Sequence, residues 1–105
     1  MRPSWALKRK PPPTHPGEIL REDELPALDI SIVEAAANLA VTRQTLHRIM
    51  ARTNPRPVTP EMAVRLGKLC GNGQRLRLNL QTAYDLWQAE RRVDTSRIPT
   101  LHTAE

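Results

Sequence analysis

Arg43 and His47 stand four residues apart, as do Gln44 and Arg48, while Leu46, Ile49 and Met50 fall at the spacing of the opposite side of a helix. Wound into a helix, the first four side chains form one polar fringe backed by an apolar face. Such a fringe matches the edges of base pairs. An arginine fork pairs with guanine O6 and N7, and a glutamine amide pairs with adenine N6 and N7. Thr42 and Thr45 add hydroxyls for a phosphate or a thymine methyl, and Arg52 and Arg56 lie just beyond as cations for phosphate. Each of these residues taken singly reads as part of a solvated surface. Their clustering is what points to double-stranded DNA.

The rest of the chain offers little other chemistry. His15, His47 and His102 are far apart, with no carboxylate at ligand spacing, so no metal and no cofactor is expected, and each reads as an exposed histidine. Cys70 closes an apolar stripe with no base beside it and reads as a small buried hydrophobe. As the only cysteine it has no disulfide partner and no CxxC mate for zinc. Glu22, Asp23 and Glu24 are consecutive and so point in different directions. No active site is expected, and the chain reads as a binding protein rather than an enzyme.

The elements that position the fringe are helical. After the Pro16-Gly17 breaker comes a turn or two containing Ile19 and Leu20. Ser31, with Glu34 three residues on, is the reciprocal capping pattern that opens a helix running to about Leu39. Ala40 and Val41 make a tight turn, and Thr42 caps the fringe-bearing helix. The small side chains of Ala35, Ala36 and Ala37 let that helix approach closely. Thr59 caps a fourth helix, with Pro60 at its first position, Glu61 at its positive end, and Met62, Leu66, Leu69 and Cys70 as the inward stripe. A fifth, from about Arg75 to Arg91, places Leu76, Leu80, Ala83, Tyr84 and Trp87 on one side. The fold class is all-α, five helices.

Composition sets the scale. The chain has 105 residues, three aromatics and no phenylalanine, which is room for one small aliphatic core and not for a large enzyme. Sixteen Lys and Arg against eleven Asp and Glu give a net charge of +5, and thirteen of the cations are arginine. The charge is segregated, with −4 over residues 16–30 beside +3 over residues 31–58. Residues 1–14, with Arg2, Lys8, Arg9, Lys10 and three consecutive prolines, read as a flexible basic arm, and residues 93–105 as a flexible tail. Residues 15–92 are expected to form the DNA-binding and dimerisation domain. The basic start has no apolar run behind it and no stretch is long enough to span a membrane, so a cytoplasmic location is expected.

The run His15-Pro16-Gly17-Glu18-Ile19-Leu20, the Ser31 to Met50 pair of helices, Val58-Thr59-Pro60-Glu61-Met62-Ala63, Leu78-Asn79-Leu80-Gln81 and Tyr84-Asp85-Leu86-Trp87 occur in that order. Together they resemble the HigA-type antitoxins, a branch of the Xre or phage-repressor helix-turn-helix proteins, over about residues 15–90. The resemblance implies a lambda-repressor-like domain and a homodimer that represses its own toxin-antitoxin operon. It also implies a protein that binds and neutralises a RelE-like ribonuclease toxin. The DNA-touching positions of such domains fall on Thr42, Arg43, Gln44, Thr45, His47 and Arg48.

Four positions depart from that pattern. Ala40 replaces the turn glycine, where a left-handed backbone costs alanine about 1 kcal/mol. Ile32 stands where a phosphate-bracing glutamine is usual. The loop from Ala51 to Arg56 is longer than the usual turn, with Arg52 and Arg56 to meet phosphates instead. The stretch Gly73 to Arg77 lacks the usual Ser-Pro start, which predicts a later beginning or looser packing for the last helix.

Leu76, Leu80, Tyr84 and Trp87 read as core from periodicity, but one small subunit has few groups to face them, which favours a homodimer interface. Two other readings stay open. One is a toxin-binding interaction module with little DNA affinity, using the acidic segment and the basic arm. The other is a stand-alone phage-type regulator.

Overall fold

The computed structural model describes residues 12–102, and among these the chain is built from five helices with no strand. Helix α1 occupies residues 16–28 as three consecutive stretches: Pro16–Ile19, a π-helical turn Leu20–Glu24, and Leu25–Leu28. It is followed by α2 (Ile32–Leu39), α3 (Arg43–Ile49), α4 (Pro60–Cys70) and α5 (Gln74–Arg92). Residues 1–11 of the basic arm and residues 103–105 of the tail lie outside the described residues.

Local chemistry fixes the helix starts. Ser31 Oγ accepts from the Glu34 N–H while the Glu34 carboxylate accepts from the Ser31 N–H, the reciprocal box expected from the spacing. Thr42 and Thr59 cap α3 and α4 by accepting from the N–H groups of Thr45 and Met62, at 3.0 and 3.2 Å. Pro60 sits in the first turn of α4, where its missing N–H costs nothing.

Helix α1 is longer than the one or two turns expected, because it continues through the acidic cluster and past Pro26. The wide turn before the proline makes this possible. Leu25 donates to the Leu20 carbonyl five residues back, and that register accommodates a residue with no N–H to give. The payoff is apolar, since Leu20 and Leu25 both reach the core.

The core joins α1 through α4. Leu20, Leu46, Ile49 and Leu66 are its largest fully buried side chains, each contributing about 1.5–3 kcal/mol by leaving water. Ala35, Ala36, Leu39, Met50, Val58, Met62 and Ala63 fill the space between them. Cys70 is half-buried, and burial pushes its thiol pKa up, in keeping with an inert hydrophobe.

Helix α5 departs from expectation in two ways. It starts at Gln74 rather than later, and its inward face is polar. Arg77 and Gln81 are each only 5% exposed. Arg77 pairs with Glu24 of α1 and donates to the Asn72 carbonyl at 2.7 Å. The Gln81 carbonyl accepts from the Val58 N–H at 2.8 Å, and its amide donates to Asp85 at 2.9 Å. Leu76 and Leu80 each precede one of these residues by one step, about 100° round the helix, which leaves Leu76 exposed and Leu80 half-buried while Leu78 packs against the core.

Candidate nucleic-acid interface

The α2–α3 unit is assembled from small residues and satisfied carbonyls. Ala35 and Ala36 are buried and let α3 close on the backbone of α2, while Ala37, expected to share that task, faces solvent. Ala40 takes the left-handed conformation, φ 58° and ψ 41°. Its N–H donates to the Ala37 carbonyl at 3.2 Å and the Val41 N–H to the Ala36 carbonyl at 3.1 Å. That pair of bonds is the Schellman arrangement, formed without the usual glycine. Val41 then packs against the core, and Thr42 opens α3.

On α3, Leu46 and Ile49 are buried while Arg43, Gln44, His47 and Arg48 are all exposed. The helix holds no acidic residue. Thr42 and Thr45 differ in availability. The Thr42 hydroxyl caps the Thr45 N–H and donates to Thr45 Oγ1 at 2.8 Å, so it is committed to the helix start. Thr45, half-buried, keeps its own hydroxyl hydrogen for a further acceptor. Beyond α3, the Arg56 N–H donates to the Arg48 carbonyl at 2.9 Å, which ties the loop to the helix end and leaves the Arg56 side chain in solvent. Arg52 is exposed and forms a 3.4 Å ion pair with Glu22, whose carboxyl is held below its usual range by a hydrogen bond from Arg21.

Residue type and spacing did not point to several of the groups that hold this unit. Arg65 Nη1 donates to the Leu39 carbonyl at 2.8 Å, at the carboxyl end of α2 and beside the turn, while Nη2 pairs with Glu61 at 2.9 Å. Arg21 donates to the Met50 carbonyl, closing the end of α3. Both cations sit where a helix dipole is negative. The i, i+4 spacing of Glu61 and Arg65 was the one readable signal. His15, expected to be exposed, is buried at 6% exposure. Its Nδ1 accepts from the Gly17 N–H at 2.9 Å, capping α1, and its ring meets Tyr84 edge-on at 4.9 Å. His47 and His102 are exposed as expected.

The four α5 residues assigned to a dimer contact are not equally accessible. Leu76 is 60% exposed, Leu80, Tyr84 and Trp87 are half-buried, and Arg91 lies 4.1 Å above the Trp87 ring. An open groove of about 570 Å³ runs between α5 and the loop after α3, lined among others by Pro12, Arg52, Pro55, Tyr84 and Trp87. No group of His, Cys, Asp and Glu among the described residues is arranged to hold a metal, and no described helix is long and apolar enough to cross a membrane.

Known proteins share this arrangement. The chain is 38% identical to the uncharacterised HTH-type transcriptional regulator YddM of Escherichia coli K12 over 88 residues, 84% of this chain and 90% of that protein. An addiction module antidote protein of the HigA family from Coxiella burnetii superposes with a TM-score of 0.75 at 35% identity, over 88% of this chain and all of that one. The Pseudomonas aeruginosa antitoxin HigA, solved with the higBA promoter, superposes with a TM-score of 0.64 at 33% identity, over 80% of this chain and 98% of its own. No protein-family model matches the chain.

Proposed function

The chain belongs to the HigA-like antitoxins of the Xre helix-turn-helix regulators, and from that premise we propose that it represses its own operon as a homodimer bound to operator DNA. Arg43, Gln44, His47 and Arg48 read base edges in the major groove, while Thr45, Arg52 and Arg56 meet phosphates and Thr42, its hydroxyl engaged with Thr45, opens the helix. The observation that carries this reading is the division of α3. One side is fixed in the core by Leu46 and Ile49, and the other presents four exposed polar groups with no carboxylate among them. A rigid helix with an unobstructed polar fringe is what base readout requires. The antitoxin solved with its promoter among the structural relatives supports operator DNA as the partner.

In the same reading the chain is the antitoxin of a type II module, acts in the cytoplasm and neutralises a RelE-like ribonuclease toxin. Dimerisation uses the stripe Leu76, Leu80, Tyr84 and Trp87, of which Leu76 is exposed and the other three are half-buried. Two copies then address half-sites about one helical turn apart.

The test is a salt-titrated shift assay on a duplex from the chain's own promoter. Arg43→Ala and Arg48→Ala are each expected to cost about 1–3 kcal/mol and relax sequence preference, whereas Arg56→Ala weakens all duplexes alike. A double variant that binds as tightly as the parent overturns the assignment of the fringe. Co-purification with the product of a neighbouring short gene tests the toxin.

A further inference from the structure

Between α1 and α2 the surface is both apolar and acidic, and the DNA reading uses neither property. An open hollow of about 190 Å³ lies there, lined by Leu25, Pro26, Ile30, Ile32, Met50 and Arg21. Ile30 and Ile32 are half-buried, and Leu28 and Val33 on the same stretch of chain are exposed. Ile32, at the first position of α2, is the residue found in place of a phosphate-bracing glutamine.

The charge along this stretch has one sign. Residues 22–34 carry Glu22, Asp23, Glu24, Asp29 and Glu34 and no lysine, arginine or histidine. Glu24 is engaged by Arg77, Glu22 by Arg21 and Arg52, and Glu34 by the cap of α2. Asp23 and Asp29 are exposed and form no ion pair among the described residues. Arg21, the one cation of the lining, is held by the Met50 carbonyl and Glu22.

These two features narrow the occupant. Carboxylates repel a duplex, and a second copy placed here about a two-fold axis would set the same carboxylates against one another. What fits is a protein surface that offers an apolar side chain to the hollow and lysines or arginines around it. A protein that cuts RNA carries such cations, because it has phosphates to hold. We propose that the α1–α2 face, residues 22–34 with Met50, is the docking surface for a basic protein partner. This rests on the toxin reading above and assigns it a surface made of other residues than the α3 fringe and the α5 stripe.

The test uses full-length protein and the product of the neighbouring short gene, with binding followed by calorimetry and DNA binding measured in parallel. Leu28→Ser with Val33→Ser changes two exposed side chains and is expected to weaken that partner about tenfold. Asp23→Asn with Asp29→Asn, the latter suited to the left-handed backbone at φ 54°, should slow association and flatten its salt dependence. Both variants should bind a duplex from the chain's own promoter at least as tightly as the parent. Val64→Ser, a comparably exposed change on α4, should alter neither partner. A synthetic amphipathic peptide of leucine and lysine, added to isotope-labelled parent, is expected to shift the signals of Leu25, Ile30, Ile32 and Met50 before any others. Variants that bind the gene product as the parent does, or peptide shifts centred on α5, overturn the inference. Parent protein that ignores the gene product counts against the toxin reading, while the peptide still decides this one.

Discussion

Gly17 lies so close to Ile49 that a Cβ built on it would sit 1.9 Å from the Ile49 carbonyl oxygen and 3.0 Å from His15 Nδ1. The start of α1 is thus pressed directly against the carboxyl end of the helix that bears the polar fringe. Both atoms it would strike belong to rigid elements, one to backbone and one to a buried ring, so neither can yield cheaply. Gly17→Ala is expected to destabilise the fold by about 1–3 kcal/mol or more and to tilt α3. Thermal melting reads the first effect. Loss of preference for the chain's own promoter under conditions where the protein is still folded reads the second.

Ala40 carries a conformational cost at the other end of the same unit. At φ 58° its Cβ crowds the following carbonyl, and glycine avoids this contact. Ala40→Gly keeps the Schellman bonds to Ala36 and Ala37 and is expected to raise stability by about 0.5–1 kcal/mol, offset in part by the greater freedom of glycine in the unfolded chain. A lowered melting temperature would mean that the Ala40 methyl makes a contact worth more than the strain.

What was legible in advance followed from interactions local in sequence. Ser31 with Glu34, Thr42 with Thr45 and Thr59 with Met62 each cap a helix through atoms three residues apart, so residue type alone locates α2, α3 and α4. The apolar side of α3 was equally plain, because Leu46 and Ile49 sit on a helix too short to offer another choice. Helix α1 was not. Its continuation past Pro26 depends on a wide turn that is favoured only because Leu20 and Leu25 find the same core. The inner face of α5 was hidden for a related reason. Apolar spacing picks out Leu76, Leu80 and Trp87, whereas Arg77 and Gln81 turn inward because Glu24 and the Val58 N–H await them from 53 and 23 residues away. The arginines show how far composition can mislead. A count of cations suggests a polyanion partner, yet Arg21, Arg65 and Arg77 are used to close helix ends and pair with carboxylates of the same fold.

Gln81 is the group that joins α5 to the loop before α4. The Val58 N–H that it accepts is buried, and no other partner for that donor is found among the described residues. Gln81→Leu, close in volume, leaves the N–H without an acceptor and is expected to cost about 1–3 kcal/mol in urea unfolding. Gln81→Glu should cost less, because a carboxylate still accepts from Val58 although it then faces Asp85. Equal losses for the two variants would show that packing, not the hydrogen bond, sets the effect.

His15 gives the fold a dependence on acid. Burial lowers its pKa below the usual 6.5, and the nearby carboxylate of Asp85, the Arg56 backbone and Glu18 only partly oppose this. The neutral ring is also what the cap requires, since Nδ1 must present a lone pair to the Gly17 N–H. In the unfolded chain the same imidazole takes up a proton near pH 6.5. As pH falls below that value the unfolded state binds more protons than the native one, and stability drops until the native pKa is passed. The stabilisation is therefore full above about pH 6.5. His15→Asn keeps a side-chain oxygen for the cap and removes the titration. Its melting temperature should be lower at pH 7.5, through lost contact with Tyr84, and should change less than the parent's between pH 6.5 and 5.5. Parallel pH profiles for the two proteins would assign the acid sensitivity to other groups. Because Gly17 connects this cap to Ile49, any acid loosening at His15 is expected to reach the end of α3 first.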